Sequence, residues 1–209
     1  MNLDRYTDTN SMRFDALKEL GSIGTGSAAT ALSTMLGKRI SMELPEVKLV
    51  EFNRAIYDLG GPEKIVAAVL TEFSGEMNGI MLFLQSKEFI NVVLQSLMGK
   101  QINELSELTE LELSALTEIG NIIISSYVNA LANLVGMSVN LSVPTTTVNM
   151  LGGIMNVPIV MYGYTTDKLM TINGTLECDG EEMLCRLLLH PDEATLDLMM
   201  QKLGVAEIG

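Results

Sequence analysis

Glu118 and Asn121 are the two residues of this sequence best suited to do chemistry together. They stand three residues apart in a segment with helical periodicity, so a carboxylate and a carboxamide point the same way from one rigid element. A carboxamide carries both hydrogen-bond donors and acceptors and does not titrate, so it suits the placement of a water molecule. The apolar stripe of this segment consists of Leu113, Leu116, Ile119, Ile122 and Ile123, and its polar face of Ser114, Glu118, Asn121 and Ser125.

An earlier segment repeats this pattern. Shifting the chain by 99 positions aligns residues 15–45 with residues 114–144 without a gap. Glu19 then matches Glu118 and Pro45 matches Pro144, whereas Ser22 stands opposite Asn121. Read together, the two segments have the form acid or Ser, three residues, Glu, two residues, Asn, 22 residues, Pro, with Ser22 in the place of Asn in the first.

This form resembles the signature of the CheC, CheX and FliY family of response-regulator phosphatases of bacterial chemotaxis. The second copy fits it completely, with Ser114, Glu118, Asn121 and Pro144. The first copy fits at Asp15, Glu19 and Pro45, but Ser22 occupies the place of the family's Asn. The phrases EIGNI and GTGSAATALS look most like the CheC branch, and the resemblance covers nearly the whole chain.

The resemblance implies an enzyme that hydrolyses the aspartyl phosphate of a CheY-like response regulator. Asn121 is then expected to orient the attacking water, and Glu118 to engage a lysine of the regulator's phosphorylation site. Ser114 is expected to support that contact through a hydrogen bond, and Pro144 to shape the strand behind the helix. The Mg²⁺ ion is expected on the regulator, with no metal or cofactor held by this chain itself.

The first copy is expected to be a degenerate site. The hydroxyl of Ser22 ends one bond beyond Cβ and cannot reach as far as a carboxamide, so one active site is predicted. The alternative is a non-catalytic adaptor that binds CheD, a receptor deamidase, or the flagellar switch. The presence of both Glu118 and Asn121 favours the enzyme. Because Ser22 stands where the family has Asn, the adaptor remains an alternative.

The remaining elements follow from periodicity and turn residues. Gly24, Gly26 and Ala29 have the spacing of a dinucleotide-binding turn, but they follow a helical pattern rather than a strand. They are therefore interpreted as ending or bending one helix and allowing close packing of the next. One helix is predicted to begin at about residue 11, and further helices are predicted at 28–36, 87–98, 108–136 and 192–203. Strands are predicted at 40–52, 64–73, 79–84, 139–149, about 158–164, 169–177 and 182–189.

These elements predict an α+β fold. It is a pseudo-two-fold repeat of helix, strands and helix, with two long helices packed on one face of a largely antiparallel sheet. The halves cover about 11–100 and 108–206, and a single domain over 1–209 is expected because each half has a modest core of its own.

Composition limits the function classes. A net charge of −13 argues against nucleic acid as a partner, and the chain has no apolar run of about 18 residues for membrane insertion. The N-terminus lacks the pattern of a signal peptide, which predicts a cytoplasmic protein, and Cys178 and Cys185 are expected to be buried reduced thiols. His190, beside Pro191, is expected in a surface turn.

Overall fold

The structure, a computed structural model, describes residues 22–43, 46–162 and 168–202 of the chain. The first half begins with a helix and contains four strands and two further helices. Its elements are α1 (22–36), β1 (Ile40–Met42), β2 (Glu46–Glu51), α2 (Phe52–Asp58), β3 (Ile65–Gly75), β4 (Gly79–Gln85) and α3 (Lys87–Met98). A 3₁₀ turn at Leu105–Glu107 lies in the connection to the second half.

The second half repeats the same order of elements. They are α4 (Glu110–Val135), β5 (Val139–Leu141), β6 (Thr145–Met150), α5 (Leu151–Tyr162), β7 (Lys168–Cys178), β8 (Glu181–Pro191) and α6 (Glu193–Lys202). The internal repeat read from the sequence is therefore a repeat of structure within the described residues.

The eight strands form one antiparallel sheet in the order β1-β7-β8-β4-β3-β5. β2 continues β1 along β7, and β6 continues β5 along β3. β4 and β8 pair at the centre, with Leu82 opposite Leu188. Each half therefore supplies the edge strands that pair with the other half.

Both faces of the sheet carry helices. One core cluster joins alternate residues of β3 and β4 to α1, α3 and α4, including Phe73, Phe83 and Leu116. The other joins the intervening strand residues to α2 and α5, including Leu82 and Ile154. The expected helices on an antiparallel sheet are thus present, and a second helical layer covers the opposite face.

The predicted strand at about 158–164 is wrong, because residues 151–162 form α5. This helix is apolar on nearly all sides, so its sequence lacks the alternation that separates a helix from a buried strand, and Pro158 lies inside it. The strand predicted at 40–52 likewise divides into β1, β2 and the start of α2.

The predicted break in the first helix is also corrected, since residues 22–36 form one continuous helix. A Cβ atom on Gly24 would overlap the ring of Tyr127 on α4. Gly24 therefore allows two helices to approach each other and does not end one.

His190 does not lie in a surface turn. It is 1% exposed in the central strand β8, and its ring packs edge-on against Phe52 with centroids 4.8 Å apart. Cys178 and Cys185 are buried free thiols, as expected, and burial raises the pKa of Cys185 to about 12. Within the described ranges, no helix is both long enough and apolar enough to cross a membrane.

Candidate active site on helix α4

Helix α4 begins at a well-defined cap. The Glu112 carboxylate accepts a hydrogen bond from the backbone N–H of Thr109 at 2.8 Å, as in a capping box, and another from the Thr109 hydroxyl at 3.0 Å. The Lys100 ammonium also binds this carboxylate. The hydrogen bond from Lys100, and to a smaller extent that from the Thr109 N–H, lowers the pKa of Glu112 to about 2. The start of the helix is therefore tied to the connection that precedes it.

The inner face of α4 lies unusually close to the sheet. Leu116 and Ile119 are fully buried, and Gly120 packs directly on Val69 of β3, where an added Cβ would overlap the valine side chain. Val69 pairs with Thr146 of β6, and the Thr146 hydroxyl lies 2.5 Å from that of Thr117. One glycine and one hydroxyl contact thus fix the height of this turn above the sheet.

The outer face of the same turns carries the predicted residues. Ser114 and Glu118 are exposed and Asn121 is half-buried. At about 1.5 Å of rise per residue, Ser114 lies about 6 Å and Asn121 about 4.5 Å along the axis from Glu118. None of the three side chains makes a hydrogen bond or ion pair within the part of the chain that the structure describes. The carboxylate and the carboxamide are therefore available to a partner.

Pro144 lies in the break between β5 and β6. Leu141 pairs with Phe73 and Thr145 with Leu70, so three residues of the edge lie opposite two of β3 in a bulge. Pro144 therefore lies in this bulge, two residues before Thr146, whose hydroxyl contacts that of Thr117 on α4.

The first copy lies partly outside the described residues. Asp15, Glu19 and Pro45 belong to that undescribed part, whereas Ser22 is half-buried at the first described position of α1. The two helices meet where Gly24 faces Tyr127 and where the Thr25 and Tyr127 hydroxyls form a hydrogen bond. Burial raises the pKa of Tyr127, so this hydroxyl stays protonated.

Sequence reasoning missed three features of α4 and its surroundings. An open groove of about 430 Å³ lies between α1 and α4, lined by side chains that include Ile23, Ser126 and Asn133. Leu111, seven residues before Glu118, is 70% exposed on the same side of α4. The packing of Gly120 on Val69 had one possible signal, the match of Gly21 with Gly120 in the repeat.

Comparison with known proteins gives a consistent result. The sequence pattern of the CheC-like family matches residues 12–49 and 111–148. The CheY-P phosphatase CheC of Bacillus subtilis (strain 168) is 28% identical over 202 residues, which cover 93% of this chain and 95% of that protein. The flagellar motor switch phosphatase FliY of the same organism is 26% identical over 137 residues, which cover 66% of this chain and 36% of FliY.

The fold agrees with these sequence matches. The crystal structure of Thermotoga maritima FliY has a TM-score of 0.72 at 22% identity, covering 93% of this chain and 96% of that one. The two segments that match the family pattern contain the two copies of the repeated signature, and the second includes Glu118 and Asn121 of α4. The chain therefore carries the sequence pattern of the CheC-like family in both halves of its repeat, on a fold similar to that of FliY.

Proposed function

We propose that this protein hydrolyses the aspartyl phosphate of a CheY-like response regulator, with α4 as the catalytic helix. The names of its relatives, a CheY-P phosphatase and a switch phosphatase, support the reaction class. The observation that carries the assignment to α4 is the pair Glu118 and Asn121, held on a helix whose opposite side is fixed to the sheet by Gly120. A rigid element with free polar side chains is what a positioning catalyst needs.

The proposed reaction requires no covalent step on this protein. The Asn121 carboxamide accepts a hydrogen bond from a water molecule. It thereby places the oxygen of this water in line with the phosphorus–oxygen bond that joins the phosphoryl group to the aspartate. As water attacks phosphorus, that bond breaks, the regulator's aspartate leaves as a carboxylate, and inorganic phosphate and a proton are released. Magnesium bound to the regulator supplies the charge that stabilises the phosphoryl oxygens, as in other phosphoryl transfers.

Glu118 is proposed to fix the orientation of the two proteins. Its carboxylate binds a lysine of the regulator's phosphorylation site, one helical turn from Asn121. Ser114, one further turn toward the N-terminus, contributes a hydrogen bond to the same contact. Pro144, behind the helix, acts on the position of α4 and does not touch the substrate.

The site on α1 is proposed to be weak or silent. Ser22 occupies the position of Asn121 in the repeat, and its hydroxyl is too short to place a water where a carboxamide would. The single proposed active site is therefore that of α4.

A non-catalytic adaptor that binds CheD is the second candidate. Ser22 is the observation that favours it, because a helix that has lost its catalytic amide is free to serve a binding role. The net charge of −13 suits a protein partner with a basic surface. The two candidates differ in whether the α4 pair accelerates dephosphorylation.

The deciding experiment is the decay of a phosphorylated CheY-like regulator with Mg²⁺, measured with wild type, Asn121→Ala, Ser22→Asn and the control Asn129→Ala. Asn129 is an exposed asparagine two turns further along the same helix. We expect Asn121→Ala to lower the acceleration by about 100-fold, Ser22→Asn to raise it, and Asn129→Ala to leave it unchanged. No acceleration by wild type, together with binding of CheD, would establish the adaptor instead.

A further inference from the structure

A second cavity, with a volume of about 310 Å³, opens where β3 begins and β4 ends, beside the C-terminal end of α2. Its walls include the apolar side chains of Leu59, Leu84 and Leu184. None of the residues discussed for the phosphatase site takes part in it.

The cavity collects positive charge in a strongly acidic protein. Lys64, Lys87 and Arg186 all line it, and none of them forms an ion pair within the described residues. By contrast, Lys38, Lys48, Arg54 and Lys100 are each paired with a carboxylate. Among the described lining residues Glu88 is the one carboxylate. A local excess of cations therefore persists in a chain whose net charge is −13.

Arg186 is the most informative of the three cations. It lies in the central strand β8 opposite Leu84, whose side chain belongs to the apolar layer under α2 and α5. Directly opposed residues of an antiparallel pair point to the same face, so the guanidinium emerges beside that layer. Within the described residues this half-buried guanidinium has no carboxylate partner, so its charge is available to a ligand in the cavity.

Helix α3 adds to the positive potential. The Ser86 hydroxyl accepts a hydrogen bond from the N–H of Phe89 at 3.2 Å. The N–H groups of Lys87 and Glu88, in the same first turn, have no acceptor within the helix, and both residues line the cavity. Gln85 also lines it and is 3% exposed; its Nε2 donates to the Leu116 carbonyl at 3.1 Å. The Gln85 Oε1 atom has no hydrogen-bond partner among the residues that the structure describes, and as an acceptor it contributes nothing to the binding of an anion.

We propose that this cavity binds a small amphipathic anion, with a phosphate or carboxylate head group and a compact apolar body. Arg186, Lys64 and Lys87 bind the head group, and Leu59, Leu84 and Leu184 contact the body. The volume is at the lower end of the range for small-molecule sites, which limits the ligand to roughly the size of an aromatic ring with its head group. A phosphate or a carboxylate head group can bind the same three cations, and titration with one probe of each kind distinguishes between them.

The test uses phenyl phosphate and benzoate as probes, titrated into the full chain and followed by two-dimensional NMR of the backbone amides. Inorganic phosphate lacks the apolar body and phenol lacks the charge, so both are expected to bind at least about tenfold more weakly than the better of the two anions. The preferred anion identifies the head group. Saturable shifts are expected at the amides of α3's first turn and of β8 around Arg186.

Arg186→Gln is expected to weaken binding of the preferred anion by about tenfold or more, as loss of a charged hydrogen bond predicts. Lys87→Gln, at an exposed position, provides a second variant that should not disturb folding. Arg39→Gln is the control, because Arg39 is exposed and is also without an ion pair among the described residues. The absence of saturable binding, or an equal loss in Arg39→Gln, would overturn the proposal. Dephosphorylation of the regulator is a separate measurement that these variants should leave unchanged.

Discussion

At the scale of single residues, the proposed site depends on groups that are available rather than on groups with unusual chemistry. Glu118 and Asn121 have no partner among the described side chains, and their periodicity alone placed them on one exposed side of α4. The contact beneath them could not be read in the same way. Whether Gly120 meets Val69 depends on the distance between a helix and a strand some 50 residues earlier, which no local pattern encodes.

The proposed docking role of Glu118 gives a prediction about binding rather than chemistry. Glu118→Gln keeps the shape of the side chain but removes the charge that would attract a lysine. We expect KM for the phosphorylated regulator to rise about tenfold, equivalent to about 1.4 kcal/mol, while kcat changes little. Steady-state kinetics of phosphate release measure both quantities.

Two further measurements sharpen that prediction. Glu110→Gln, an exposed carboxylate in the first turn of α4, is the matched control and should leave KM unchanged. Added salt should raise KM of wild type more than that of Glu118→Gln, because screening weakens the charge interaction. A fall in kcat at constant KM would show that Glu118 acts in the chemical step.

At the scale of elements, long amphipathic segments were predictable and short apolar ones were not. α4 has an apolar stripe over 26 residues and was expected within two residues of its observed ends. α2 has seven residues and directly follows a strand, and α5 is apolar on nearly every side. In both, tertiary packing on the second face of the sheet decides the conformation. His190 was misplaced for the same reason, since burial in β8 against Phe52 is a consequence of that second layer.

The close approach of α4 to the sheet predicts opposite effects for two glycine substitutions. In Gly120→Ala the new methyl group would overlap Val69, so the helix must move outward; we expect the free energy of unfolding to fall by about 1–3 kcal/mol and phosphatase activity to fall with it. In Gly26→Ala the methyl group meets no atom within 4 Å. Because alanine is the better helix former, that variant should be more stable by about 0.5–1 kcal/mol.

Denaturant unfolding and phosphate release measure these effects. The double variant Gly120→Ala/Val69→Ala should recover part of both losses, because it removes the atoms that collide. Gly120→Ala with full stability and activity would show that the contact does not set the position of Asn121.

At the scale of the whole molecule, the two halves are joined by exchange of their sheet edges. Among the described strands, β1 and β2 of the first half pair only with β7, and β5 and β6 of the second half pair only with β3. The hydrogen bond between Thr25 of α1 and Tyr127 of α4 also joins the two halves. The Lys100–Glu112 ion pair holds the connection between them against the start of α4. A sequence repeat can reveal that two halves are alike, but it does not show that each completes the other.

This exchange predicts that neither half is stable alone. A fragment of residues 1–103 would lack the strand that pairs with β1 and β2, and a fragment of 104–209 would lack β3, leaving unpaired edges and half of a shared core. We expect each fragment to unfold without a cooperative transition, and a mixture of the two to recover the circular dichroism spectrum and phosphatase activity of the intact chain. The intact chain cleaved once between 103 and 104 is the matched control, since it has the same ends but starts folded. Cooperative unfolding of either fragment alone would contradict this prediction. It would mean that each half folds independently and that the strands pair between the halves only after each half has folded.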